Sequence, residues 1–315
     1  MRRYFLKKRS GGRPSGNKKP TGTAFPSRTC ILCLAGLILL LGTYPPARGR
    51  TTAQRIISLG PINTENIYLL GAEELLVANT RYCVRPEAAR TKEKIGSVMQ
   101  INIEKIVSLY PDLILATGLT QPAQIRKLRE LGLRVVQFTQ PKSFADICAQ
   151  LLRLGRLLGR EQRAGELVAR AEKEVAAIRQ RVDGRERPRV FLQVGAEPLF
   201  GSVPGSFTHD FIEFGGGTNI LSDQSSGAVS REKVLARNPD VILIAIMGSE
   251  TGVAGREKAR WERFGVIRAV RDHRVHIVNP NLVCSPSPAT FVQALRLIAG
   301  LIHPEIFQEK DHANL

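Results

Sequence analysis

Apolar and polar positions along this chain fall into short buried runs that alternate with segments of helical spacing. The run Ile56-Ile57-Ser58-Leu59, ended by Gly60-Pro61, predicts a buried strand over 55–59. A helix opening at Asn63-Thr64-Glu65 follows, apolar at Ile67, Leu69 and Leu70 and stopped by Gly71. Residues 75–78, 113–116 and 134–138 read as further strands. Helical stretches at 123–131 and from Ser143 to about Leu158 separate them. Strands alternating with helices predict an α/β lobe built on a mainly parallel sheet.

The pattern changes at Arg160. No proline occurs from 160 to 182, and Ala164, Leu167, Val168, Ala171, Val175, Ile178 and Val182 recur at three- or four-residue spacing. That spacing predicts one helix of about 22 residues, roughly 33 Å long, ended by Asp183-Gly184 and Pro188. Strands at 190–194, 241–246 and 275–278 and a closing helix over 288–301 restart the α/β pattern. The expected architecture is two similar lobes with mainly parallel sheets, joined by one long rigid α-helix, with a ligand cleft between them. The boundaries read as 54–159, 160–187 and 188–303, with a tail at 304–315. A rigid connector predicts small lobe motions.

A repeat supports the two lobes. Asn102-Ile-Glu104-Lys105 leads through Pro111-Asp112 into the run 113–116, and Ser230-Arg-Glu232-Lys233 leads through Pro239-Asp240 into 241–244. One offset of 128 residues relates Glu104 to Glu232, Lys105 to Lys233, Pro111 to Pro239 and Asp112 to Asp240. A period this long means duplicated lobes, since solenoid repeats run to roughly 20–50 residues. Matching acidic helix starts imply a partner that reads both glutamates.

Charge first suggests nucleic acid, because the 315 residues carry a formal +18. Residues 1–50, however, hold 11 Lys or Arg and no acid, and removing them leaves 35 basic against 28 acidic residues. That body has no dense basic stripe with interleaved aromatics, so a nucleic-acid partner is not expected. The basic stretch precedes an apolar run of about 12 residues from Cys30 to Leu41. A positive segment, a short apolar core and small residues near Ala47-Arg-Gly49 and Thr51-Thr-Ala53 describe a secretory signal over 1–53. The run is short for a membrane span; an uncleaved anchor is the alternative. The expected location is the periplasm.

Cys83, Cys148 and Cys284 are odd in number and lack CxxC spacing, so one disulfide among them is open. All five histidines (His209, His273, His276, His303 and His312) lie in the second half, so a metal site drawing ligands from both lobes is not expected. Phe214-Gly-Gly-Gly-Thr-Asn219 lacks the Lys-Ser/Thr of a phosphate loop and reads as a turn. No Gly-x-Ser-x-Gly elbow occurs. A nucleotide-dependent α/β enzyme is the contrasting reading, and the expectation is a protein that is not an enzyme.

The order of these segments resembles the periplasmic substrate-binding proteins of vitamin B12, ferric-siderophore and haem ABC importers. The resemblance covers about residues 54–303. It rests on Ile57-Ser-Leu-Gly-Pro61 with Asn63-Thr-Glu65, the two repeat copies, Phe191-Leu-Gln-Val-Gly195 and Gly215-Gly-Gly-Thr-Asn219. It implies no cofactor, the ligand itself being the metal chelate: a corrinoid, or alternatively a ferric siderophore or haem. It further implies a monomer that docks on an ABC permease dimer through Glu104 and Glu232. Each acid alone could simply complement its helix dipole, worth about 0.3–1 kcal/mol.

The ligand residues the resemblance implies are Pro61, Arg81, Tyr82, Phe200 and Asn281. Tyr82 matches a position that packs on the corrin in B12 binders and that ligates iron in haem binders, where a flat phenol suits either task. Arg81 offers a guanidinium to a ligand carboxylate, and Phe200 an opposing apolar face. Two departures weaken the corrinoid match: Val98 and Ser226 stand where B12 binders can carry tryptophans, and Asn281 stands where one carries aspartate. The only tryptophan, Trp261, is expected to pack inside its lobe.

Overall fold

The computed structural model describes residues 53–247 and 252–307. The export segment expected over 1–53 lies outside them apart from Ala53, as do residues 308–315 of the expected tail. Residues Thr52–Leu315 form one compact unit.

In the first lobe the chain runs β1 (Ile56–Ser58), α1 (Pro61–Leu69), β2 (Leu76–Asn79), β3 (Glu93–Lys94), α2 (Ile103–Ser108), β4 (Leu113–Ala116), α3 (Pro122–Glu130), β5 (Val135–Gln137) and α4 (Phe144–Leu158). Its strands are ordered β3-β2-β1-β4-β5, every pair parallel. Helix α1 begins two residues before the sequence suggests, because Pro61 occupies its first position, where a fixed φ and a missing N–H are no penalty. Ser143 caps α4 as expected, accepting from Asp146 N at 3.1 Å.

Helix α5 (Glu161–Val182) then leads into β6 (Arg189–Gly195), β7 (Phe200–Gly201), α6 (Phe207–Phe214), β8 (Thr218–Asn219), α7 (Arg231–Arg237), β9 (Val241–Ile244), α8 (Val253–Glu262), α9 (Arg268–Arg271), β10 (Val275–Ile277), α10 (Pro280–Val283) and α11 (Pro288–Ile302). The second sheet is ordered β10-β9-β6-β7. β9 and β10 run parallel to their neighbours, and β7 returns antiparallel on β6. The glycine run 215–217 is a turn, as expected. Gly216 sits at φ 79°, and a Cβ there would come within 2.7 Å of His303 Nε2 and 2.8 Å of Val182.

Alternation along the strands divides the interior. Ile56, Leu113 and Leu115 face one side of the first sheet, and Ile57, Ile114 and Ala116 the other. In the second sheet Val190, Leu192, Val241 and Leu243 face one side, and Phe191, Ile242 and Ile244 the other. The first set from each sheet joins a single core that also takes in the buried stripe of α5: Ala164, Val168, Ala171, Val175, Ile178 and Val182. The connecting helix is therefore not a bare rod. It lies in a helical layer with α4, α6 and α11, where Phe291 stacks on Phe211 at 4.3 Å and on Phe144 at 4.6 Å. Residues 304–307, the described part of the expected tail, pack on the same layer: Phe307 is buried, with the Arg181 guanidinium 4.1 Å from its ring centre.

The repeat is a repeat of geometry. Asn102 accepts from Lys105 N at 2.9 Å, and Ser230 from Lys233 N at 3.3 Å. Tyr110 and Asn238 both turn the chain at positive φ, 47° and 43°. Asp112 accepts the backbone N–H of Arg55 and Asp240 that of Arg189, so each aspartate ties a helix exit to the first strand of its lobe. Arg55 and Arg189 complete the motif by donating to the carbonyls of Leu109 and Arg237.

Candidate functional site: the interlobe cleft

The C-terminal ends of the strands in both sheets converge on one cleft, where open parallel sheets place ligands. Pro61, Tyr82, Val84 and Arg85 line it from the first lobe, and Met247, Asn281 and Ser285 from the second, around a cavity of about 10 Å3. Three of the five residues implied by sequence, Pro61, Tyr82 and Asn281, thus come together. Arg81 and Phe200 are not among the lining residues. Arg81 precedes Tyr82 on the same loop, exposed, and no hydrogen bond or ion pair holds its guanidinium among the described residues. Phe200 lies on the β6–β7 hairpin, 40% exposed, its ring so close to Gly227 that a Cβ there would meet Cε1 at 2.3 Å.

The loop carrying Tyr82 is held from beneath. Asn79 donates to Ala89 O at 2.9 Å, Lys94 Nζ donates to Asn79 Oδ1 at 2.6 Å, and Arg81 N donates to Gly96 O. Burial pushes the Lys94 amine below its ordinary range. Tyr82 is 50% exposed above this base. Met99, Leu119, Phe200 and Met247 are likewise exposed large apolar side chains on loops that follow strands β3, β4, β6 and β9. Half of the ten exposed large apolar side chains among the described residues therefore follow strand C-terminal ends, and of these Tyr82 and Met247 line the cleft.

The Asn63-Thr64-Glu65 segment, used above only as a recognition motif, builds the cleft floor. Asn63 donates to Ala116 O, Thr64 donates to Ser58 Oγ at 2.8 Å, and Glu65, 5% exposed, accepts from Arg85 Nε at 2.8 Å and Ser287 Oγ at 2.7 Å. Arg85 also donates to the carbonyls of Asn281 and of Ser285 in the other lobe. A buried glutamate and an arginine thus latch the lobes across the cleft and keep it narrow. Sequence reasoning missed both. The available signal was weak: Glu65 sits among Asn63, Thr64 and Asn66 in a polar helix start, so nothing in its spacing marked it as a buried acid needing a partner.

Outside the cleft, Glu104 and Glu232 are exposed in the first turns of α2 and α7. Hydrogen bonds from its own N–H and from Ser230 hold the Glu232 carboxyl below its ordinary range. Trp261 is buried as expected: its Nε1 donates to Gln193 Oε1 at 2.7 Å, its ring meets Phe191 edge-on, and Arg231 lies 4.6 Å from its centre. Cys83, Cys148 and Cys284 are separate free thiols, and burial pushes those of Cys148 and Cys284 up to about 12. His209 bonds Asn219, and His303 bonds Gly216 O. No group of three or more His, Cys, Asp or Glu side chains is placed to hold a metal ion among the described residues.

With this geometry in view, the comparisons with known proteins decide the family. Residues 56–282 match the periplasmic binding protein family. The chain belongs to that family. Its members are solute-binding proteins. An uncharacterized ABC transporter substrate-binding lipoprotein, YvrC of Bacillus subtilis, is 28% identical over 81% of this chain and 82% of its own. The vitamin B12-binding protein of Yersinia pseudotuberculosis is 32% identical over 72% of this chain and 79% of its own. The crystal structure of the periplasmic vitamin B12 binding protein BtuF of Vibrio cholerae superposes with a TM-score of 0.69 at 26% identity, covering 82% of this chain and 99% of that one. No helix among the described residues is long and apolar enough to cross a membrane.

Proposed function

We propose that this periplasmic binding protein captures a bulky metal chelate, a corrinoid first, between its lobes and delivers it to an ABC permease dimer. The observation that carries the reading is the pair of exposed apolar side chains, Tyr82 and Met247, that line the cleft from opposite lobes, with the unpaired Arg81 next to Tyr82 in the chain. Vitamin B12 binding in two of the similar proteins supports the corrinoid. Tyr82 supplies a flat apolar face from the first lobe; Phe200 and Met247 oppose it from the second, and Pro61 and Asn281 border the opening. The protein does this as an exported monomer, without covalent chemistry, and Glu104 and Glu232 dock it by meeting basic groups on the two permease subunits.

A ligand of this class needs several hundred Å3, within the roughly 300–1,000 Å3 of small-molecule sites. The closed cleft offers a cavity of only about 10 Å3, so binding draws Arg85 off the Asn281 and Ser285 carbonyls. Haem is the second reading, favoured by one observation: the exposed Tyr82 phenol stands beside a guanidinium with no partner, a pair suited to ferric iron and a carboxylate.

Thermal-shift titration with cobalamin, cobinamide, haem and ferric siderophores tests the reading. A ligand at 100 times its Kd stabilises by about 2.7 kcal/mol, several degrees for a domain of this size. Cobalamin or cobinamide should give that shift. A shift with ATP or NAD and none with any chelate would return the contrasting enzyme class. Glu104→Ala combined with Glu232→Ala should abolish uptake while leaving ligand affinity intact; equal loss of both would remove the docking role.

A further inference from the structure

The first copy of the repeat carries a surface feature that the second lacks. Both copies leave their helix through a residue at positive φ, Asn238 in the second lobe and Tyr110 in the first. Asparagine adopts that region comparatively readily, whereas a bulky side chain there is uncommon. Backbone geometry alone therefore favours asparagine, and nothing inside the fold uses the tyrosine ring. It is 79% exposed, and only its backbone is engaged, its N–H donating to Val107 O at 3.0 Å and its carbonyl accepting from Arg55 Nε at 3.2 Å.

Tyr110 borders an open, mostly apolar groove lined also by Ile103, Glu104, Val107, Lys127 and Leu131. Val107 and Leu131 are exposed as well. Glu104 stands at the edge, reached by no ion pair among the described residues. The repeat positions in the second lobe are occupied from within: Leu235, equivalent to Val107, packs on the core, and Asn238 Oδ1 accepts from Arg268 N at 2.8 Å.

We propose that the groove of Val107, Tyr110 and Leu131 is a permease contact, seating an apolar side chain from a loop whose basic residue meets Glu104. The proposal rests on Glu104 and Glu232 being the docking acids. An unpaired carboxylate at the edge of an apolar groove is complementary to a segment that pairs a cation with an apolar side chain. An exposed, poorly accommodated tyrosine at its rim is one of the residue types enriched among interface hot spots. The first lobe then holds its subunit by charge and apolar contact, the second by charge alone.

The test measures binding of the wild-type protein to its ABC permease–ATPase complex held in lipid nanodiscs. Tyr110→Asn and Val107→Ser should each weaken binding to it by about tenfold or more. Ligand affinity should not change, and the melting temperature of Tyr110→Asn should be held or raised, as its repeat partner implies. Wild-type binding by both single variants, with binding lost in Glu104→Ala/Glu232→Ala, would overturn the groove and leave the docking acids standing. Wild-type binding by the double acid variant would remove the docking reading and the groove with it. A wild-type dimer in solution that Tyr110→Asn dissolves would make the groove a self-association face, which also overturns the proposal.

Discussion

Each lobe buries one carboxylate, and the two are used differently. Glu257, 1% exposed, accepts from Gln193 Nε2 at 2.8 Å and from Arg260 at 2.7 Å, and it pairs with Arg231 at the start of α7. All of its partners lie in its own lobe, so it fixes the second acidic helix start against β6. Glu65 instead reaches outward through Arg85 and Ser287 to the opposite lobe. The first lobe's buried charge sets how the halves meet; the second lobe's sets how one half is built. Duplication kept the backbone solution, with cap, left-handed turn and aspartate tie, and left the buried charges free to diverge.

Removing Glu257 tests this contrast with the largest expected effect. Glu257→Ala leaves Arg231 and Gln193 without their buried acceptor and should cost about 3–5 kcal/mol, measured by urea unfolding, with ligand affinity unchanged in the protein that remains folded. Arg85→Ala should cost less, about 2–3 kcal/mol, because the arginine side chain is 23% exposed. Unlike Glu257→Ala, it should also change ligand affinity and widen the apo protein in small-angle scattering. If the two variants lose stability alike and neither moves affinity, the division of roles is wrong.

The aspartate ties give a smaller contrast. Asp240 is part-buried against Arg189 and Arg268, and Asp112 is exposed with backbone donors. Asp240→Ala should therefore cost about 1–3 kcal/mol and Asp112→Ala about 1 kcal/mol. Burial pushes the Asp240 carboxyl up, but the Arg189 N–H groups and the nearby arginines outweigh it and leave it below its ordinary range. Its contribution is full above the unfolded value and is lost as pH falls through the folded one.

Asp210 runs the opposite way with the smallest effect. It accepts from Phe144 N at 2.7 Å, joining α6 to the start of α4, and burial is the main cause of its raised pKa. A raised carboxyl is most favourable when protonated, so its contribution is present below pH 3.8 and lost as pH rises through the folded value. Asp210→Asn should gain under about 1 kcal/mol at pH 7 and nothing at pH 3, read from melts at the two pH values.

The strands and long helices were legible because their apolar positions had one period each: the α5 stripe from Ala164 to Val182 is buried as spaced. The two-residue strands β3, β7 and β8 were not, since their pairing partners, not their own composition, make them strands. The repeat was legible at Glu104 and Glu232, but Arg55 and Arg189 escaped it because their spacing is 134 rather than 128 residues. In the cleft, Tyr82 and Asn281 came from the family resemblance of the loops that carry them, and both line it. The Glu65–Arg85 latch did not, because its contacts to Ser285 and Ser287 span some 200 residues of chain. Continuity of the core through α4, α5 and α11 was also hidden: a helical stripe says that a face is buried, not that two lobes share it.

The most direct test is calorimetric titration of cobalamin into the wild-type protein and its Tyr82→Ala, Phe200→Ala and Met247→Ala variants. One site per chain should appear, weakened about tenfold or more by losing a contact from either lobe. Binding that none of the three substitutions alters would place the ligand elsewhere and contradict a site shared between the lobes.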